Sequence, residues 1–347
     1  SLFDLLFYFV TGLGHQCVIV FFALSGFLVG GPALRDLMNG RWDWGHYILR
    51  RFTRLWTVLI PALLLTWAFD TAGLALGGPA GYEGAFYSLS FSGPNPADPA
   101  DLSLSTFFAN ILFMQTIVAP VFGSNGPLWS LANEFWYYIT FPLLLCGIIG
   151  QGGLLTRIGS GLLGFALVMF LPVEMMLLGL IWIAGAVAHY AAAQPDLRRI
   201  VDHRVWAAIM LIAITTFLIF DKLHPRILWD LLLGAAFAGI LPFLTFLPSL
   251  GEIYQKPATA LSNISYTLYA THFPVLAFIW FVLFAPSKWP FGPMAILLMA
   301  GLCAIALIIS TLMWWAFERN TDLVRRAIEQ WAVSIGHSSR QIWRSPH

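Results

Sequence analysis

Charge is scarce in this sequence. Of its 347 residues only 10% are charged, against about 25% in a soluble domain. Apolar residues make up 59% even with glycine left out. Eighteen Lys and Arg with 17 Asp and Glu cannot cover a soluble particle built from so much apolar surface. The shortage excludes a soluble enzyme, a disordered chain and a nucleic-acid binder. Cysteine is nearly absent as well. Cys17, Cys146 and Cys303 lie far apart in apolar stretches, with no CxxC or Cys/His cluster. Neither a disulfide framework nor a metal site is expected. The first apolar run shows no basic n-region and no small-residue cleavage site, so this run is not expected to be a signal peptide.

What the chain has in quantity is long apolar runs. A hydrocarbon core about 30 Å thick takes about 20 helical residues. Nine stretches qualify: 16–34, 55–77, 126–148, 159–172, 174–193, 205–221, 227–247, 262–285 and 291–317. The fold class is therefore all-α, a polytopic transmembrane helical bundle. The 159–172 stretch is short, and only Val173 and Glu174 part it from the next. The 105–120 stretch carries Asn110 and Gln115 and reads as an interfacial or re-entrant helix. Residues 78–104 read as loop, rich in Gly, Pro, Ser and Asp, without Lys or Arg. The domain division is a membrane domain over 1–326 and a cytoplasmic tail over 327–347.

The few positive charges set an orientation. With 35–54 in the cytoplasm, the inner side holds Arg35, Arg41, Arg50, Arg51, Arg54, Arg157, Arg198, Arg199, Arg204, Lys256, Arg319, Arg325, Arg326, Arg340 and Arg344. The outer side holds only Lys222, Arg226 and Lys288. Fifteen of 18 on one side satisfies the positive-inside rule. Nine spans with the C-terminus inside put the N-terminus outside. An additional span before Ser1 restores the simpler inside start, so about ten spans are expected in a full-length protein.

Several motifs carry chemistry. FFALSGFLVGG at 21–31 places Ser25 and Gly26 in mid-span, where small residues let helices pack closely. HYILRRFTRLW at 46–56 puts Arg50 and Arg54 on one helical face beside Arg51. Guanidinium forks suit phosphate oxygens; the same cluster also reads as a lipid-phosphate anchor. In GPLWSLANEFWYYITFPLLL at 126–145, Glu134 lies about 12 Å into its span by helical rise. A carboxylate that deep costs at least ~2.5 kcal/mol unless paired or hydrated. Ser130 stands one turn before it. NISYTLYATHFPVL at 263–276 carries His272, about 15 Å from the inner face by the same rise, with Tyr266 and Tyr269 nearby. Glu134 and His272 reach similar depths from helices of opposite direction. His15, just before the first span, is ambiguous. WWAFERN at 314–320 reads as an interfacial anchor.

In this order, FFALSGFLV, YILRRFTRLW, PLWSLANEFWYY, ISYTLYATHFP and FERN resemble acyltransferase family three. Its members are bacterial integral-membrane O-acyltransferases of surface and exported glycans. The resemblance covers roughly 14–326. It implies a multi-pass protein of the bacterial cytoplasmic (inner) membrane. It implies acyl-CoA, often acetyl-CoA, as a cytoplasmic co-substrate rather than a bound cofactor. The acceptor it implies is a hydroxyl of a carbohydrate or lipid-linked glycan. Arg50, Arg51 and Arg54 match the basic motif and would hold the CoA phosphates. Ser130 and Glu134, with Trp129, match the LWSLSxE-type motif. Ser25 and Gly26 match the serine-glycine-phenylalanine motif. His272, with Tyr266 and Tyr269, matches a histidine-bearing segment. Glu134, His272 and Ser130 are the catalytic candidates. The chain departs from the pattern at Ala132, Phe135 and Trp136, and at ERN in place of ERP. The family's first helix carries an arginine and a histidine expected to be catalytic, and nothing here matches them.

Transfer from a thioester needs an activated hydroxyl and charge stabilisation at the carbonyl, for which a histidine and a carboxylate are the ordinary solution. A secondary transporter is the main alternative, since transporters also bury ionisable residues at broken helices. A membrane acyltransferase of the unrelated His/Asn type and a purely structural subunit are further alternatives. The expected tenth, N-terminal span is checked by reporter fusion to the native gene; a Met start immediately before Ser1 would overturn it.

Overall fold

The computed structural model describes residues 2–90, 93–194, 203–245, 251–286 and 292–342. Arg198, Arg199, Lys288 and Arg344 lie outside the described residues, as do the side chains of Arg204 and Arg340. The described residues are helical, with isolated bridges in place of strands. In chain order the helices are α1 (Leu2–Thr11), α2 (Gly14–Ser25), α3 (Gly31–Met38), α4 (Trp44–Gly77), α5 (Tyr87–Ser90), α6 (Leu104–Ile111) and α7 (Trp129–Ile149). Then follow α8 (Leu154–Phe170), α9 (Val173–Ala192), α10 (His203–Leu223), α11 (Ile227–Leu244), α12 (Glu252–Leu283), α13 (Pro293–Ala316) and α14 (Thr321–Ile342).

Among the described residues, eight helical segments are long and apolar enough to cross a membrane. A ninth, α8, has 17 residues and reaches about 25 Å by helical rise. In its described residues each of the nine expected stretches falls on one of these segments, residues 246, 247 and 291 lying outside the described ones. Among those that extend further than expected are the segments built on α4 and α12. The basic motif lies on α4 itself, an unbroken helix of 34 residues. α12 has 32 residues and likewise begins ahead of its apolar part. Asp43 caps the start of α4 by accepting from the backbone N–H of His46 at 3.1 Å, which satisfies an otherwise orphaned donor. α14 runs across the expected domain boundary at 326.

The chain divides into two compact units. One comprises Ser1–Trp42 and Trp129–Gly251; the other comprises Asp43–Leu128 and Glu252–His347. In the first, α9 packs on α2, α3 and α11. Glycines make that approach possible. A Cβ on Gly26 would run into the carbonyl oxygen of Trp182, and one on Gly185 into that of Ala23. Between α2 and α3 the helix widens into a π-helical turn, Gly26–Gly30, a local feature frequent at functional sites. In the second unit, α4 lies along α12, and α12 along α13.

The 105–120 stretch is not one helix. α6 ends at Ile111, and the chain turns through positive φ at Phe113 and Thr116. Backbone turn bonds and two side chains together supply the partners that helical bonding would have used. Asn110 donates to the carbonyls of Thr106 (2.9 Å) and Pro120 (3.0 Å) and accepts from the N–H of Phe122 at 3.1 Å. Gln115 donates to the carbonyl of Leu128 at 3.0 Å. The two polar residues that looked misplaced in an apolar run are what hold this segment in shape.

The glycine contacts carry a stability prediction. Gly26→Ala is expected to destabilise by about 1–3 kcal/mol through overpacking. Gly159→Ala, on α8 with open space around it, is expected to be neutral or stabilising by about 0.5–1 kcal/mol. Thermal unfolding in detergent compares the two; equal effects would refute the close-packing account.

Candidate active site

Glu134 sits in the first turns of α7 and is 4% exposed. A buried carboxylate needs donors, and two helices provide them. Ser25, the last residue of α2, donates its hydroxyl to Glu134 Oε1 at 2.8 Å. Tyr138, one turn on along α7, donates its phenol to the same oxygen. The Ser25 and Tyr138 hydroxyls are 3.4 Å apart. Trp182 of α9 donates its indole N–H to Ser25 Oγ at 3.1 Å. The network thus bonds the serine of FFALSGFLV to the glutamate of PLWSLANEFWYY, within one compact unit. Gly26 serves the same site differently: its missing side chain lets Trp182 come close enough to reach Ser25. Ser130 is fully buried. Trp129 packs edge-on against Phe22, with centroids 5.9 Å apart.

The second unit holds the arginines and His272. Arg50 is exposed, with Nη1 3.5 Å from His46 Nε2. Arg51 lies over the Tyr47 ring at 5.8 Å, and Arg54 over the Tyr266 ring at 6.0 Å. Thr267 donates to Glu318 Oε2 at 2.5 Å, and Glu318 is within electrostatic reach of Arg54. Three of the five motifs therefore meet here. Glu318 does more than mark the exit of a span, since it is bonded into α12 beside Tyr266.

His272 is partly buried, and its Nδ1–H donates to the carbonyls of Leu268 (2.9 Å) and Tyr269 (3.0 Å). In the neutral ring this leaves Nε2 as the acceptor, the form a general base requires. Tyr269 donates its phenol to the carbonyl of Pro127 at 2.9 Å. Glu134 belongs to one unit and His272 to the other, and each is anchored by partners of its own.

Two polar clusters escape a reading of the sequence. Asp70, deep in α4, accepts from the Ser124 N–H (2.6 Å) and hydroxyl (2.7 Å). Asn125 beside it donates to Thr66 Oγ1 (3.0 Å) and to the carbonyl of Ala270 (2.9 Å). Burial, with the negative charge of Asp70 added, pushes the nearby Tyr82 phenol above its usual range. The second cluster joins His15 to Asp230 and Gln16 to Asp221. Both had a signal in the sequence: an acid inside an apolar span is costly and calls for a partner.

A family model described as an acyltransferase domain matches residues 1–315. Over 141 residues the chain is 32% identical to a protein of Streptomyces mycarofaciens named acyltransferase MdmB. That match takes in 39% of this chain and 29% of the relative's length. No solved structure matches the chain.

Because Ser25 and Tyr138 donate to one oxygen, their removal should not be additive. Ser25→Ala and Tyr138→Phe are each expected to cost about 1–3 kcal/mol. The double variant should depart from their sum by 0.5 kcal/mol or more, the range seen for roughly all directly coupled pairs. Chemical or thermal unfolding in detergent measures this, and strict additivity would refute the shared-acceptor geometry.

Proposed function

The chain belongs to acyltransferase family three, and on that premise we propose that it is an integral-membrane O-acyltransferase. It moves an acyl group, with acetyl the expected one, from cytoplasmic acyl-CoA to a hydroxyl of a cell-surface or exported carbohydrate or lipid-linked glycan. The protein sits in the bacterial inner membrane with 35–54 and its C-terminus in the cytoplasm. The acceptor oxygen attacks the thioester carbonyl as its hydroxyl proton passes to a base, the carbon–sulfur bond breaks, and the base returns that proton to the departing sulfur, so that CoA leaves as its thiol.

The observation that carries this reading is the Ser25–Glu134 hydrogen bond at 2.8 Å. It ties two motifs of an acyltransferase domain together around a buried carboxylate, where a charge has most effect on a reacting group. The arginines support the donor side. Arg50 and Arg54 are exposed on α4, and a forked guanidinium pair matches the phosphates of CoA. His272, with Nδ1 committed to backbone carbonyls, offers Nε2 to a proton. The transporter alternative finds no support in a match to an acyltransferase domain.

The test uses full-length protein and follows CoA release with acylation of surface glycan by mass spectrometry. Glu134→Gln is expected to lower kcat by roughly 100-fold or more, the usual weight of a general acid–base or orienting group. Arg50→Ala and Arg54→Ala are expected to raise KM for acyl-CoA by roughly 10-fold, the loss of one charge-assisted contact. Near-normal rates in all three would overturn these roles, and solute flux without CoA release would restore the transporter.

A further inference from the structure

Three helix ends converge in the first unit, away from the Ser25–Glu134 bond. α2 opens with His15 and Gln16, α10 closes with Asp221 and Lys222, and α11 carries Asp230 in its first turn. The short connection between α10 and α11 brings the two aspartates together. His15 Nε2 lies 2.8 Å from Asp230 Oδ1. Gln16 Nε2 donates to Asp221 Oδ2 at 2.5 Å. One ligand atom from each of His15, Asp221 and Asp230 falls within 4.8 Å of the others.

Acceptors outnumber donors in this cluster. Asp221 is 1% exposed, Gln16 5% and Asp230 7%. Yet Asp221 Oδ1 and Gln16 Oε1 are buried with no hydrogen-bond partner. Lys222, the neighbouring cation, donates to the backbone carbonyl of Gly12. An imidazolium at His15 would balance one carboxylate and leave both orphaned oxygens as they are. A divalent cation balances both carboxylates and takes lone pairs that otherwise have no partner.

We infer that His15, Asp221 and Asp230 form a divalent metal site, with the amide oxygen of Gln16 as a further ligand. The donor set indicates the metal. Imidazole nitrogen with carboxylate oxygen suits zinc and its neighbours, whereas magnesium and calcium take all-oxygen sets. The His15 side chain is 47% exposed, so the site opens on the imidazole side, where an ion enters. Trp129 stacks on the His15 ring, with centroids 6.4 Å apart and planes at 21°, and holds its orientation. The ion would clamp the start of α2 to the α10–α11 turn.

The experiment takes the full chain, purified in detergent and stripped with a chelator, and adds zinc chloride. Expected are one saturable equivalent by elemental analysis and an unfolding midpoint raised by several degrees. His15→Gln and Asp221→Asn should each weaken binding by roughly 10-fold or more, the usual cost of disturbing a metal site. His224→Ala, an exposed histidine in the adjoining turn, should bind zinc as the parent does. His15→Gln, altered at a half-exposed position, keeps the test valid if Asp221→Asn fails to fold. No zinc-dependent shift, or equal binding by His15→Gln, overturns the proposal. So does an equal shift with magnesium or calcium, which would mean an all-oxygen site without the imidazole. None of these readouts depends on acyl transfer.

Discussion

A carboxylate inside an apolar bundle cannot stand alone, and the first unit is arranged around that constraint. Glu134 is buried on α7, where an unpartnered charge would be lost to neutralisation or unfolding. Its partners come from α2 and from one turn further along α7, and α9 steadies the serine with an indole N–H. Gly26 of the π-helical turn, Gly31 of α3 and Gly185 of α9 are the geometric counterpart. They bring the backbones close enough for short side chains such as serine to reach across. Polar satisfaction and close packing are here one requirement.

The second unit solves the same problem with loop instead of helix. Segment 112–125 leaves helical conformation, and its backbone groups are met by turn hydrogen bonds of its own together with buried amide and carboxylate side chains. Asn110 at the end of α6 bonds its backbone at Pro120 and Phe122, Gln115 reaches out to the Leu128 carbonyl, and Asp70 of α4 receives Ser124. Irregular backbone beside a membrane span is tolerated when it is buried in protein and its groups are bonded. The result lies against α12, because Asn125 reaches the Ala270 carbonyl two residues before His272.

Much of this was legible in the residues. Among the described residues the apolar runs located eight helices of spanning length and the shorter α8, since about 20 apolar residues per span is a requirement of bilayer thickness. The short 159–172 run was visible as short. Five motifs in order pointed to an acyltransferase family, and the family match over 1–315 agrees. Glu134 stood out because an intramembrane acid is expensive. The fate of 105–120 was not legible. Its composition suits a helix, and only the tertiary bonds of Asn110 and Gln115 make the turned form the better one. Asp70 passed unnoticed because its partner, Ser124, is 54 residues away in sequence.

Composition and periodicity by themselves determined that this is a helical membrane protein, where its spans run and which few polar residues stand in them. Those properties follow from local quantities: transfer free energy, helical rise and charge bias along the chain. Tertiary structure alone decided which polar residues meet. Ser25 joins Glu134 across 109 positions, Thr267 joins Glu318 across 51, and His15 joins Asp230 across 215. Such pairings depend on which helix faces lie against each other, and that is set by packing many side chains at once, not by any one segment.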